Sequence, residues 1–130
     1  MMSTEGQGTD LIGREELKEK LDRGDDFKLV MVLGEWEYRA KRISGSLRVS
    51  ASRKMLQALD LDEEIVLYDT NPACRASRFA CRFLKTQGYV RVRRYAGGLE
   101  DWERAGYPLE GESVGQLYNV WQCFGVDSGP

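Results

Sequence analysis

Apolar residues follow two alternating rhythms along this chain, and the alternation predicts its architecture. Phe27 to Leu33 reads FKLVMVL and Ile65 to Tyr68 reads IVLY, near-continuous apolar runs of the kind that form strands buried on both faces. Elsewhere the apolar positions recur with a helical period. Leu17 and Leu21 set an apolar stripe on a charged helix from about Arg14 to Leu21, which Gly24 ends. Gly34 opens a short helix, about Glu35 to Arg39, and Ser52 is placed to cap another over Lys54 to Ala58. From about Arg75 to Gln87, Ala76, Phe79, Ala80, Phe83 and Leu84 share one face, with Arg75, Arg78, Arg82 and Lys85 turned away and Gly88 as the stop. Asp10-Leu11-Ile12, Leu47-Arg48-Val49 and the Val/Arg alternation of Val90 to Tyr95 read as short strands. Gly97-Gly98 then breaks the chain before a short helix over Leu99 to Ala105, closed by Gly106 and Pro108.

Strands interleaved with helices imply an α/β domain: three layers, with a small, mostly parallel central sheet carrying helices on both faces. The expected domain occupies residues 10–109, after a polar, Gly-rich, flexible segment at 1–9. Residues 110–130 place Val114, Leu117, Tyr118, Trp121 and Phe124 at helical spacing, which predicts a C-terminal amphipathic helix docked on the domain. Its alternative role is to bind a partner through Trp121 and Phe124. Trp36, Trp102, Tyr89 and Tyr95 are expected in or near the core.

Composition narrows the chemistry. Nineteen basic and 21 acidic residues leave a net charge of -2, so nucleic acid and anionic membrane are not indicated as partners. No apolar run approaches a membrane span, and a cytoplasmic protein is expected. The chain has no histidine, which removes serine-triad, cysteine-histidine and His-based zinc chemistry, and nothing implies a metal or an organic cofactor. The three cysteines make no CxxC pair and no even-numbered disulfide framework. Arg39, Lys41, Arg42, Arg48, Arg53, Arg75 and Arg78 concentrate in the middle of the chain, as a basic rim or as solvated faces.

The segment IVLYDTNPACRAS at 65–77 is a strand, a tight loop and a helix start, a unit that aims N–H groups and a helix N-terminus at one point and so makes an anion cradle. At its mouth stands Asp69, either a built-in anion or a cap for the loop. Cys74 lies at the first helical turn beside Arg75, where dipole and cation favour a thiolate; the plainer reading is a rim cysteine without a catalytic role.

Three stretches, LVMVLGEWEYRAKRISGS (29–46), IVLYD (65–69) and GYVRVRRYAGGLEDWERAGYP (88–108), resemble the rhodanese-like domain family over about Leu11 to Leu109. The resemblance implies the fold just described and puts Asp69 where the sulfurtransferase members carry the catalytic cysteine that stores sulfane sulfur as a persulfide. The Asp, Arg and His typical of those members read here as Met31, Leu33 and Arg42. Asp69, Thr70, Asn71, Pro72, Ala73, Cys74 and Arg75 then form the active-site-loop equivalent, with Arg42, Gly97 and Gly98 at the pocket rim. Five residues separate Asp69 from Arg75, similar to the longer loop of the rhodanese-related cell-cycle phosphatases, which need the same absent thiolate. The function expected is that of a binding or regulatory module without standard thiosulfate sulfurtransferase activity, acting on a protein partner or a small anionic or sulfur-containing ligand. The alternative is an atypical sulfurtransferase carrying sulfane sulfur as a persulfide on Cys74.

Overall fold

In a computed structural model, which describes residues 10–49 and 53–113, side chains of the central strands alternate between two separate cores. The elements in chain order are α1 (Arg14–Arg23), β1 (Lys28–Met31), α2 (Glu35–Ala40), β2 (Arg42–Ile43), β3 (Leu47–Arg48) and α3 (Lys54–Ala58). They continue with β4 (Ile65–Tyr68), α4 (Ala76–Thr86), β5 (Val92–Tyr95), α5 (Gly98–Arg104) and β6 (Leu109–Glu110). Four strands form a parallel sheet in the order β3-β1-β4-β5. Residues of β4 are buried throughout, which is why that strand reads as an unbroken apolar run.

On one face, Val30, Ile65, Leu67 and Val92 pack against Met55 of α3 and Ala80 and Leu84 of α4. On the other, Leu29, Met31, Val66, Tyr68 and Tyr95 meet Leu17 of α1 and Leu99 and Trp102 of α5. The sheet is thus covered on both sides, as the alternation of strands and helices requires. Trp102 is fully buried, donates its indole N–H to the Pro108 carbonyl at 2.9 Å, and meets the rings of Tyr95 and Tyr107 edge-on.

Several local expectations change. Trp36 is 67% exposed, because the six-residue α2 lies on the surface and buries none of its side chains. Helix α4 faces the sheet through Ser77, Ala80, Cys81 and Leu84, and Phe79 is 57% exposed. Small residues on the inner face let the helix approach the sheet closely, and that packing outweighs burial of one phenyl ring. The antiparallel pair β2–β6 adds two short strands to the expected elements, joining the segment after α2 to the segment after α5. Ser52 and the apolar stripe from Val114 to Phe124 that predicts a C-terminal helix lie outside the described residues.

The start of α5 ties the second face to the loop after β4. The N–H groups of Leu99 and Glu100 donate to the carbonyls of Asp69 and Thr70 at 2.8 and 2.9 Å, so helix-end donors and loop acceptors satisfy each other. Gly98 has φ +72°, and a Cβ there would meet the Asp69 and Thr70 backbone at 2.7 Å. Gly24 has a similar φ of +74° with open space around it. Gly24→Ala therefore isolates the left-handed strain, of about 1–2 kcal/mol, whereas Gly98→Ala adds a backbone clash. Urea denaturation is expected to show Gly98→Ala losing at least ~1 kcal/mol more stability than Gly24→Ala; equal losses would contradict this account of the turn.

Candidate functional site

Strand β4 delivers the chain, at the end of the sheet, into a loop whose first three residues, Asp69, Thr70 and Asn71, are all buried. Pro72, Ala73 and Arg75 are exposed, and Cys74 is buried between them. Two side chains hold this loop. The Asn71 amide oxygen accepts the N–H groups of Ala73 and Cys74 at 3.0 and 3.2 Å, an Asx turn that closes the loop on itself. The Asp69 carboxylate reaches across the loop and accepts the Ser77 N–H at 2.7 Å. Arg75, the residue that precedes α4, provides no side-chain cap, so the carboxylate eight positions upstream of Ser77 does that work.

The Ala73 and Cys74 N–H groups therefore serve Asn71, while Asp69 takes the Ser77 N–H in the first turn of α4. Asn71 competes for these donors because a short polar side chain inside a loop reaches the N–H groups two and three residues on. Ser77 also accepts a hydrogen bond at its Oγ from Arg94 Nε at 3.1 Å, which links β5 to the head of α4. Burial pushes the Asp69 carboxyl above the usual carboxylate range, while hydrogen bonding from Ser77 and the charge of Arg94 pull the other way. The first turn of α4 holds no acidic residue but does hold Arg78, a cation at the positive end of the helix dipole. Asp69 supplies the negative charge that this end lacks. Thr70 Oγ1 is buried without a hydrogen-bond partner, which costs about 1–3 kcal/mol.

The remaining predicted site residues divide. Gly98 packs directly beneath Asp69 and Thr70, and Gly97 lies against Asp101. Arg42 is used elsewhere: its guanidinium stacks over the Tyr38 ring, donates to the Tyr38 carbonyl and pairs with Glu110 across β2–β6. Cys74 is 3% exposed and disulfide-bonded, so its sulfur is not a free thiol here. Cys81 is free and buried, and burial pushes its thiol up. Met31 is core, and Leu33 packs partly against the same core. Ser77 and Arg94 escaped the sequence reading. Ser77 had a visible signal, a small polar residue at the second position of a helix after a turn, whereas Arg94 sat unmarked in a run of alternating arginines.

Residues 13–105 match the family profile of the rhodanese-like domain, a span that includes the whole loop from Asp69 to Arg75. The chain belongs to the rhodanese-like domain family. The rhodanese-like domain of the Anabaena protein Alr3790 superposes with a TM-score of 0.74 at 23% identity, covering 85% of this chain and 90% of that one. The BH2092 protein of Bacillus halodurans gives a TM-score of 0.77 at 19% identity, with 88% of each chain covered. For the human single-domain sulfurtransferase TSTD1 the TM-score is 0.64 at 22% identity, over 73% of this chain and 96% of that one. A putative sulfur carrier protein of Bacillus subtilis (strain 168), YrkF, is 28% identical over 91 residues, or 70% of this chain and 49% of that protein. This chain thus spans about half the length of that relative. Among the described residues of this rhodanese-like domain, no helix is long and apolar enough to cross a membrane.

The buried carboxyl makes stability depend on pH. With its folded pKa raised, Asp69 binds its proton more tightly in the folded than in the unfolded chain, so this group's contribution is full below the unfolded pKa and falls as pH rises through the folded one. Asp69→Asn does not titrate. Its stability relative to the wild type is expected to increase from about pH 4 to about pH 7, measured by urea denaturation at each pH. A difference that stays flat or shrinks over that range would contradict the raised pKa.

Proposed function

We propose that this rhodanese-like domain lacks standard thiosulfate sulfurtransferase activity and works as a binding or regulatory module for a protein partner or a small anionic or sulfur-containing ligand. The observation that supports this is the Asp69 carboxylate on the Ser77 N–H, at the position that the resemblance assigns to the persulfide-forming cysteine. Sulfane sulfur is carried by a thiolate that attacks the donor sulfur and keeps it as a persulfide; a carboxylate forms no such bond. Asp69 also fills the helix N-terminus that would otherwise attract an external anion.

Cys74 tests the reading. After treatment with a reductant, the wild type is expected to transfer sulfur from thiosulfate to cyanide at the same background rate as Cys74→Ala, with no persulfide detected by mass spectrometry. Turnover that disappears in Cys74→Ala would overturn the proposal and establish Cys74 as a sulfur carrier. Asp69→Cys restores a thiol but not its surroundings, because the Ala73 and Cys74 N–H groups stay on Asn71.

A further inference from the structure

The sheet ends at β5, and among the described residues the segment around Leu11 covers that edge, through a parallel bridge to Arg94. The Ile12 N–H donates to the Arg94 carbonyl and the Arg94 N–H to the Asp10 carbonyl, at 3.1 and 2.7 Å. Between this segment and the flank of α4 lies a cavity of about 380 Å³. Leu11, 46% exposed, and Cys81 give it an apolar floor. Its walls carry Arg78, Arg82, Lys85 and Arg94, against one acid, Asp10, which already pairs with Lys85.

Three of the guanidinium groups without an ion pair among the described residues line this one cavity; the others, on Arg48, Arg53 and Arg75, lie outside it. Elsewhere in the domain, Arg14, Arg23, Arg39, Arg42, Arg91 and Arg93 each pair with an acidic side chain. Arg78, Arg82 and Arg94 form no ion pair among the described residues, and Arg94 is held only through Nε on Ser77 Oγ. Arg78 and Arg82 are also four apart on one helix, with Cβ atoms about 5–6 Å apart, a spacing at which like charges repel. A tetrahedral dianion relieves that repulsion and accepts both guanidinium forks.

We propose that the cavity between α4 and the β5 edge is a ligand site for a small organic phosphate monoester, its phosphate on Arg78, Arg82 and Arg94 and its apolar part on Leu11 and Cys81. The site is distinct from the loop at 69–75, and its occupancy does not depend on whether sulfur is transferred there. Phosphate is favoured over a single carboxylate because Arg78 and Arg82 both lack a counter-charge, and Arg94, which shares the charge of Asp69, adds a third cation to the same cavity. An apolar body is needed to cover Leu11, which a bare inorganic ion leaves in water.

Amide NMR titration of the full chain with phenyl phosphate tests this, with inorganic phosphate and benzyl alcohol as parallel titrants. Phenyl phosphate is expected to produce saturable shifts at Leu11, Arg78, Arg82 and Arg94, and to bind more tightly than either of the other two. The double variant Arg78→Gln/Arg82→Gln is expected to weaken binding by ~10-fold or more. Both residues are exposed, and unchanged amide positions in the two cores will confirm that the variant folds. The proposal is overturned if binding does not saturate below ~10 mM, if inorganic phosphate binds equally well, or if the variant binds as the wild type does. Shifts confined to residues 70–77 would also overturn it and would instead make the loop an anion site, an outcome that the sulfur-transfer assay reads separately.

Discussion

The carboxylate of Asp69 on the N–H of Ser77 is the contact around which the rest of this domain is arranged. Helix α4 begins with no cap of its own and with Arg78 in its first turn, so its positive end is both unsatisfied and electrostatically disfavoured. Asp69 answers both needs. A hydrogen bond to a charged group contributes about 1.5–3 kcal/mol, and a partly buried charge at a helix end up to ~2 kcal/mol. Removing the carboxylate from water costs several kcal/mol in return. These opposing effects are of similar size, so the contact fixes geometry more than it adds stability, and the raised pKa shows desolvation ahead.

Geometry fixed at Asp69 propagates through both layers. Its carbonyl and that of Thr70 are taken by the first N–H groups of α5, while its side chain holds α4, so one residue joins the helices on opposite faces of the sheet. Gly98 makes the first of these possible, since any Cβ there would collide with the backbone it must approach. Arg94 extends the link to β5 through Ser77. The head of α4 and the edge cavity therefore share a residue, although they differ in charge: a carboxylate fills one and guanidinium groups line the other.

The distribution of cations follows the same logic. Residues that crowd together in sequence are dispersed by the fold: Arg39 pairs with Glu112, Lys41 with Glu103 and Arg42 with Glu110. These pairs staple α2 and β2 to the chain around α5 and β6. Arg78 and Arg82, spaced four apart along α4, form no ion pair among the described residues and line the same cavity.

Fold class was legible in the chain because burial on two sheet faces leaves an unmistakable mark: IVLY and the apolar run around LVM must be strands, and helices must separate them. The loop at 69–75, between that strand and the helix after it, was equally plain, being local and covalently contiguous. The partner of each polar group was not. Asp69 finding Ser77, Asn71 drawing off the loop amides, Arg42 turning to Tyr38 and Glu110, and Phe79 left in solvent all depend on distances across the fold. Sequence by itself determined which apolar runs had to be strands buried on both faces, since an unbroken run leaves no polar face for solvent. Tertiary structure alone decided which hydrogen-bond acceptor a donor meets, because such a bond reaches only about 3 Å, and no spacing along the chain reports a distance that short between elements far apart in sequence.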